Sequence, residues 1–133
     1  MRVVLLLLPF FVFSQNTLSG GSLNVNENTS FEYEIGLAND SAVSALQFDI
    51  DINQDAFTYG SNHTLTTRAS GFTVSSSNPS DNIMRVVMYS SSGGVIEVGS
   101  GAILKLDLSS KTLPNDYTFS ISNVVLSDAT GTE

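Results

Sequence analysis

Alternation of apolar and polar residues with a period of two is the feature that most limits the fold of this sequence. In residues 44–53 (SALQFDIDIN), Leu46, Phe48, Ile50 and Ile52 alternate without interruption with polar residues. This period places the two sets on opposite faces of a β-strand, with the apolar set against a core. Similar segments recur about every 8–12 residues between turn-rich stretches, which is typical of an all-β sandwich or barrel. No segment predicts an α-helix.

The remaining strands are predicted from shorter or less regular segments, at 22–25, 31–37, 57–59, 65–68, 72–75, 83–89, 102–108 and 117–126. Segment 83–89 is apolar on both faces except at Arg85, which predicts a central strand. The apolar positions of 117–126 change parity at Ser122 and Asn123, which predicts a β-bulge. Clusters of Ser, Asn, Asp, Gly and Pro predict turns at 75–82, 90–94, 99–101 and 114–116.

Residues 1–14 predict a secretory signal peptide. Arg2 is basic, residues 3–12 are apolar apart from Pro9, and Ser14 is the small residue at the cleavage point. The apolar run is shorter than the roughly 20 residues that span a bilayer. We therefore expect residues 15–133 to form a single domain that is secreted or displayed at the cell surface.

Charge and composition exclude several classes of function. The chain has 13 acidic and 5 basic residues, and its formal net charge is −8. Nucleic-acid binding and attraction to anionic lipids both depend on clustered Lys and Arg, so neither is expected. Cysteine is absent, which excludes thiolate metal sites and thiol nucleophiles. His63 is the single histidine; we expect it in an exposed loop, and it cannot form a zinc site of several imidazoles.

Two carboxylates on the polar face of segment 44–53 raise the question of catalysis. Asp49 and Asp51 are same-face neighbours, roughly 7 Å apart along a strand. In retaining glycosidases the carboxyl groups lie about 5–5.5 Å apart, and further apart in inverting ones. No neighbouring motif would make one an acid and the other a base. The favoured interpretation is a solvated sheet face, and we predict no catalytic residues and no enzyme.

Calcium is the most plausible ion for this sequence. Asp49, Asp51, Asn53 and Asp55 alternate along one edge, and calcium takes carboxylate and amide oxygens as ligands. A strand spreads such residues into a row, and no calcium-binding loop follows them. We predict no metal and no cofactor, with calcium as the open alternative.

Three stretches, in this order, resemble the cohesin domain: AVSALQFDI at 42–50, IEVGSGAILKL at 96–106 and YTFSISNVVLSDATG at 117–131. The likeness covers residues 18–133 and implies an antiparallel two-sheet jelly-roll sandwich of about eight to nine strands. The family's last strand would follow Thr132. Either the domain lacks this edge strand or the sequence is the front of a longer protein, and truncation is favoured. The end of the signal peptide resembles those of Bacteroidetes exports.

The resemblance implies a non-catalytic extracellular recognition module, linked to polysaccharide degradation and part of a larger multidomain protein. It implies protein or carbohydrate binding, with a dockerin-type module or a polysaccharide as partner. The alternatives are a carbohydrate-binding module, with Tyr59, Phe72 and Tyr89 as candidate exposed platforms, and a structural spacer of a surface adhesin. If 44–53 and 83–89 share a sheet, the predicted contacts are its outward residues: Gln47, Asp49, Asp51, Arg85, Val87 and Tyr89. Dockerin-binding cohesins commonly carry Asn and Asp early in the matching strand, where this chain has Ala45 and Gln47.

Overall fold

The computed structural model describes residues 16–21, 24–112 and 119–128. The predicted signal peptide, the predicted turn at 114–116 and the chain end after residue 128 lie outside these ranges. The described residues form nine strands: β1 (Thr17–Gly20), β2 (Ser30–Asn39), β3 (Ala45–Asp51), β4 (Phe57–Tyr59), β5 (Thr64–Leu65), β6 (Thr73–Ser80), β7 (Ile83–Tyr89), β8 (Gly99–Ser110) and β9 (Ser120–Ser127). A single 3-10 turn, Thr67–Ala69, follows β5. None of the helical structure within these ranges is long and apolar enough to cross a membrane.

The strands form two antiparallel sheets. One has five strands, in the order β1-β2-β8-β4 with β5 also paired to β8, and the other has four, in the order β6-β7-β3-β9. The inward residues of both sheets form one hydrophobic core. The predicted all-β sandwich is therefore confirmed, and β7 occupies the interior position that its apolar sequence predicts.

Strand β3 shows why the alternation predicts the packing so well. Its apolar residues Leu46, Phe48 and Ile50 are buried, opposite buried residues of β7. A strand between two neighbours must bury one face against the other sheet, so each apolar residue of that face contributes about 1.5–3 kcal/mol of hydrophobic stabilisation.

Aromatic rings close one end of the core. The ring of Phe119, just before β9, lies 4.8 Å from the ring of Tyr33 and 4.8 Å from that of Phe57, edge to face. Phe31 packs against Phe57 at 6.0 Å. Burial in this cluster raises the pKa of Tyr33.

Three register shifts interrupt the strand pairing: one between β3 and β9, which the sequence predicts, one between β2 and β8, and one between β6 and β7 after Ser77. Between β3 and β9, Gln47 pairs with Val125 and Asp49 pairs with Ser122, so β9 carries one extra residue. Asn123, inside this bulge, has a φ of 50°, and the predicted bulge is confirmed. The second shift, between β2 and β8, leaves Ile103 without a Cα partner, and that bulge was not predicted.

Three local predictions are wrong. Residues 75–80 were expected to lie in a turn, but they belong to β6, and the turn is confined to 81–82. Pro79 is tolerated there because β6 is an edge strand that needs partners on one side only. Residues 99–101 open β8 instead of forming a turn. Segment 65–68 is a strand only at its first residue and then becomes the 3-10 turn.

The predicted strand at 22–25 is also not observed. Residues 22 and 23 lie outside the described ranges, and 24–26 form no strand. Among the described residues the first strand is β1, whose four residues pair with the end of β2. Its pairing with β2 supplies the hydrogen bonds, so a strand can form there without a regular apolar pattern.

Candidate functional site

The six predicted contact residues lie on one surface. Strands β3 and β7 are neighbours, and Gln47 pairs with Val87 while Asp49 pairs with Arg85. These residues face away from the core, together with the matching residues of β6 and β9. We call this surface the outer face; it consists of Ala45, Gln47, Asp49, Asp51, Thr73, Ser75, Ser77, Ile83, Arg85, Val87, Tyr89, Ser120, Ser122, Asn123, Val125 and Ser127.

At the centre of the outer face, Asp49 is held by its neighbours. Arg85 Nε donates to Asp49 Oδ1 at 2.7 Å, and Arg85 Nη2 donates to Oδ2 at 2.9 Å. Asn123 Nδ2, in the β9 bulge, also donates to Oδ2, at 2.9 Å. These side chains cover the carboxylate, and Asp49 is only 3% exposed. The prediction that Asp49 belongs to a solvated surface is therefore wrong.

The charge state of this cluster is set by its hydrogen bonds. The bonds from Arg85 lower the pKa of Asp49; burial opposes them, and the bond from Asn123 adds to them. In return, the Asp49 carboxylate raises the pKa of Arg85. A general acid needs a raised pKa and a nucleophile needs a free oxygen, and Asp49 has neither. Asp51 Oδ1 accepts the backbone N–H of Asn53 and so serves a local turn.

The outer face carries little net charge for so acidic a protein. Its ionic groups are the paired Asp49 and Arg85 and, at one end, Asp51. Half-buried Val87 and Val125 lie between the Asp49–Arg85 pair and the other end of the face. Tyr89, at that other end, is 43% exposed. Hydroxyl groups of serine and threonine border this apolar centre on β6 and β9.

The opposite sheet carries charge on its outer surface. Glu32 lies directly opposite Asp107, and Glu34 lies opposite Lys105. Lys105 Nζ is 3.9 Å from Glu32 Oε2, a loose pair between exposed side chains. The two outer surfaces of the sandwich therefore differ in charge.

Two of the residues considered for calcium, Asp51 and Asn53, accept backbone N–H groups of the following turn. Asn53 Oδ1 accepts the N–H of Asp55, as Asp51 Oδ1 accepts that of Asn53. Within residues 16–21, 24–112 and 119–128, no group of three His, Cys, Asp or Glu side chains is arranged to hold a metal ion. Calcium binding stays the open alternative to the prediction of no metal, and these contacts do not favour it.

His63 does not lie in an exposed loop as predicted, because its ring is half-buried between the sheets. The backbone N–H of Asp107 donates to His63 Nδ1 at 3.0 Å, so in the neutral ring Nε2 carries the hydrogen. Nε2–H then donates to Ser76 Oγ, 3.0 Å away. A Ser–His hydrolase needs the opposite arrangement, with Nε2 accepting the serine proton. This Ser–His pair is structural.

Burial lowers the pKa of His63, and the nearby Asp107 carboxylate partly offsets this effect. The neutral ring is therefore the form that the folded protein favours.

Arg68 has a structural role that the sequence pattern does not predict. Its Nη1 donates to the carbonyl oxygens of Leu37 and Gly101, and its Nη2 to Asn39 Oδ1 and Glu97 O. The guanidinium thus ties the end of β2 to the start of β8. The pattern gives little sign of this, because the partners are mainly backbone oxygens of distant residues.

The three candidate aromatic platforms differ in their exposure to solvent. Phe72 is buried in the core, and Tyr59 is half-buried and packs against it. Tyr89 is exposed on the outer face. Of the three, Tyr89 alone presents a ring for stacking.

The fold of this chain is similar to that of solved structures of known proteins. No family model matches the sequence, and no curated protein matches it. Solved structures do match, and among them are cohesin modules. The cohesin module of a Clostridium perfringens family 33 glycoside hydrolase is 18% identical, with a TM-score of 0.72, over 90% of this chain and 86% of that one.

Two further cohesins align over similar lengths. The sixth cohesin of Acetivibrio cellulolyticus scaffoldin B, solved in complex with a mutant Cel5 dockerin, is 17% identical, with a TM-score of 0.68, over 88% of this chain and 89% of that one. A non-cellulosomal cohesin from the archaeon Archaeoglobus fulgidus is 13% identical, with a TM-score of 0.69, over 90% and 82%. The chain therefore has the fold of a cohesin module, and the resemblance seen in the sequence is confirmed at the level of the fold.

Proposed function

We propose that this domain is a non-catalytic protein-recognition module that binds a dockerin-type partner through the outer face. The observation that carries the proposal is the low charge of that face in a protein of formal net charge −8. Asp49 and Arg85 neutralise each other there, and Tyr89 stands exposed on the same strand and face as Val87. Interface centres are typically depleted of charge and enriched in aromatic residues, with polar rims.

The fold supports this choice of partner. The Acetivibrio cellulolyticus cohesin was solved with a dockerin bound, and the Clostridium perfringens module comes from a glycoside hydrolase. By analogy, we propose an exported or cell-surface protein in which this domain assists polysaccharide degradation. The buried carboxylate of Asp49 and the structural tautomer of His63 support a role without catalysis.

Energetically, Tyr89 is the expected hot spot. It combines a large exposed ring with a hydroxyl, and tyrosine is enriched among residues that dominate binding energy. Gln47 and the serines around it supply hydrogen bonds that orient the partner. Asp49 and Arg85 contribute little direct contact, because each satisfies the other.

The proposal is tested by titrating the protein with the dockerin-type modules encoded in the same genome, using calorimetry. Tyr89→Ala should weaken binding by about 30-fold, the loss expected for a hot spot of about 2 kcal/mol. Val98→Ala is the matched control: Val98 is an apolar residue, 61% exposed, that precedes β8 in the other sheet. Equal losses in both variants, or no binding by any such module, would reject the proposal.

Carbohydrate binding is the second candidate, and the exposed ring of Tyr89 is the observation that favours it. An exposed tyrosine ring can stack on the apolar face of a sugar. Retardation on polysaccharide affinity gels, lost in Tyr89→Ala, would support this function. Absence of retardation on every polysaccharide tested, with a dockerin-type module bound in solution, would leave protein recognition as the function.

A further inference from the structure

The loop between β4 and β5 is tied to a single residue of β8. Gly60 N–H donates to the carbonyl oxygen of Asp107 at 3.0 Å, and Asn62 N–H donates to Asp107 Oδ2 at 3.2 Å. Asp107 N–H in turn donates to His63 Nδ1. A Cβ at position 60 would collide with the Asp107 carboxylate, which would then have to turn away from the loop. The loop therefore holds the His63 ring in a fixed position.

From that position the ring reaches the other sheet. His63 Nε2–H donates to Ser76 on β6, and β6 is an edge strand whose strand partner is β7. On the inward side of β6, half-buried Val74 packs against the core. The His63–Ser76 bond is thus a polar link from this edge strand to the five-stranded sheet.

We propose that His63 is a pH-sensitive latch whose protonation releases β6 from the five-stranded sheet and thereby weakens partner binding at the outer face. An imidazolium carries a hydrogen on both nitrogens. Nδ1–H would then point at the N–H of Asp107, and two donors cannot share a hydrogen bond. The ring must therefore turn away from the backbone N–H of Asp107, and this rotation breaks the bond from Nε2–H to Ser76.

The charged groups around the ring are unevenly placed. On β8, the Asp107 carboxylate attracts a protonated ring, and Lys105 lies two residues away, opposite Thr64 of β5. Strand β6 contributes no charge along its length, and Asp81 follows its end; β4 contributes the phenol of Tyr59. Arg85 on β7 points outward to Asp49. A protonated ring is therefore attracted to the carboxylate of Asp107, whereas no charged group on β6 holds it at Ser76.

The sign of the pH dependence follows from the lowered pKa of His63 in the folded protein. The unfolded chain takes up the proton near the ordinary value of 6.5, before the folded protein does. The stabilisation by the neutral ring is complete above that value. It is lost progressively as the pH falls towards the lower pKa of the folded state.

Release of β6 would reach the outer face directly. Ser75 and Ser77, on either side of Ser76, point outward and lie opposite Val87 and Arg85. If β6 shifts, this hydroxyl border moves relative to the apolar centre. The regulatory part of the inference rests on the proposed function, since it requires a partner on this face.

The latch itself is tested by NMR without any partner. Because the chain contains one histidine, its ring resonance is unambiguous. The ring should titrate with a midpoint below 6.5. The hydrogen-exchange protection factors of the Asp107 and β6 amides should fall about tenfold with the same midpoint. Unchanged β6 protection after His63 has titrated would overturn the proposal.

Variants separate the latch from general effects of acid. In His63→Gln, the amide can accept from Asp107 and donate to Ser76 without titrating, so β6 protection should not depend on pH. Ser76→Ala should lower β6 protection already at neutral pH, whereas Ser75→Ala, on the outward side, should not. The same acid response in His63→Gln as in the wild type would contradict the latch.

The regulatory step is tested by titrating a dockerin-type module at about pH 7.5 and at a pH below the midpoint that the NMR titration gives for His63. The wild type should lose about tenfold in affinity in acid, and His63→Gln should lose less than about twofold. Equal losses would reject regulation by His63. If no module binds even at neutral pH, the proposed function fails, while the exchange measurements still decide whether the latch exists.

Discussion

Arg85 forms a bidentate ion pair with Asp49: Nε donates to Oδ1 at 2.7 Å, and Nη2 donates to Oδ2 at 2.9 Å. Asn123 completes the cluster from the opposite side. One carboxylate thus connects β7, β3 and β9 on the outer face. A shift of either neighbouring strand would remove one of the two partners of the buried carboxylate, so the cluster favours a single register.

Asp49→Asn should destabilise the protein more than Asp51→Asn does. The first change removes the charge that both Arg85 bonds require, whereas Asp51 is exposed and its loss should cost about 0.5 kcal/mol or less. The lowered pKa of Asp49 stabilises the fold above its ordinary value of 3.8, and this contribution is lost as the pH falls through the folded value. Urea unfolding between neutral and acidic pH should therefore show a weaker acid loss in Asp49→Asn. Equal effects of both changes would contradict this role.

Asn123→Gly and Asn123→Ala separate backbone from side chain. Both remove the bond to Asp49, but alanine is also strained at the φ of 50° that this bulge residue adopts. We expect the alanine variant to be about 1 kcal/mol less stable than the glycine variant in denaturant unfolding. If alanine proves as stable as glycine, the left-handed backbone at this position is not required.

Arg68→Lys should destabilise the fold by about 2 kcal/mol, because an ammonium cannot span the four oxygens that the guanidinium joins. The matched control is Lys105→Ala, which removes a loose exposed pair with Glu32 and should cost less than about 0.5 kcal/mol. The difference is measured by urea unfolding. A lysine variant as stable as the wild type would show that the four hydrogen bonds of Arg68 do not stabilise the fold.

Partner binding at the outer face should depend weakly on salt, because Asp49 and Arg85 already neutralise each other. Between about 0.05 M and 0.5 M NaCl, we expect the Kd for a dockerin-type module to change by less than about threefold. Glu34→Lys, on the other sheet, should leave the Kd unchanged. A steep salt dependence that this variant alters would place the contact on the acidic sheet instead.

The sequence predicted well those features that depend on local alternation. Strand β3 is a clear case, since burying Phe48 and its apolar neighbours fixes both the strand and the face that meets the core. The bulge at Asn123 was predictable for the same reason, because one extra residue moves every later side chain to the other face. The strand predicted at 72–75 corresponds only to the start of β6. The rest of β6 was missed, because its serines carry no such pattern and its pairing with β7 supplies the order.

The sequence by itself determined an all-β fold and, through its resemblance to cohesins, a two-sheet sandwich. That β3 and β7 share a sheet, and therefore an outer face, was an assumption that the tertiary structure confirmed. The tertiary structure also decided what the residues of that face do. Asp49 is buried because Arg85 and Asn123 come from strands 36 and 74 residues away along the chain. His63 bridges two sheets, and Arg68 joins two strand ends, through backbone groups that no side-chain pattern reveals. Periodicity reports which side of a strand faces the core, whereas long-range hydrogen bonds depend on which strands the fold makes neighbours.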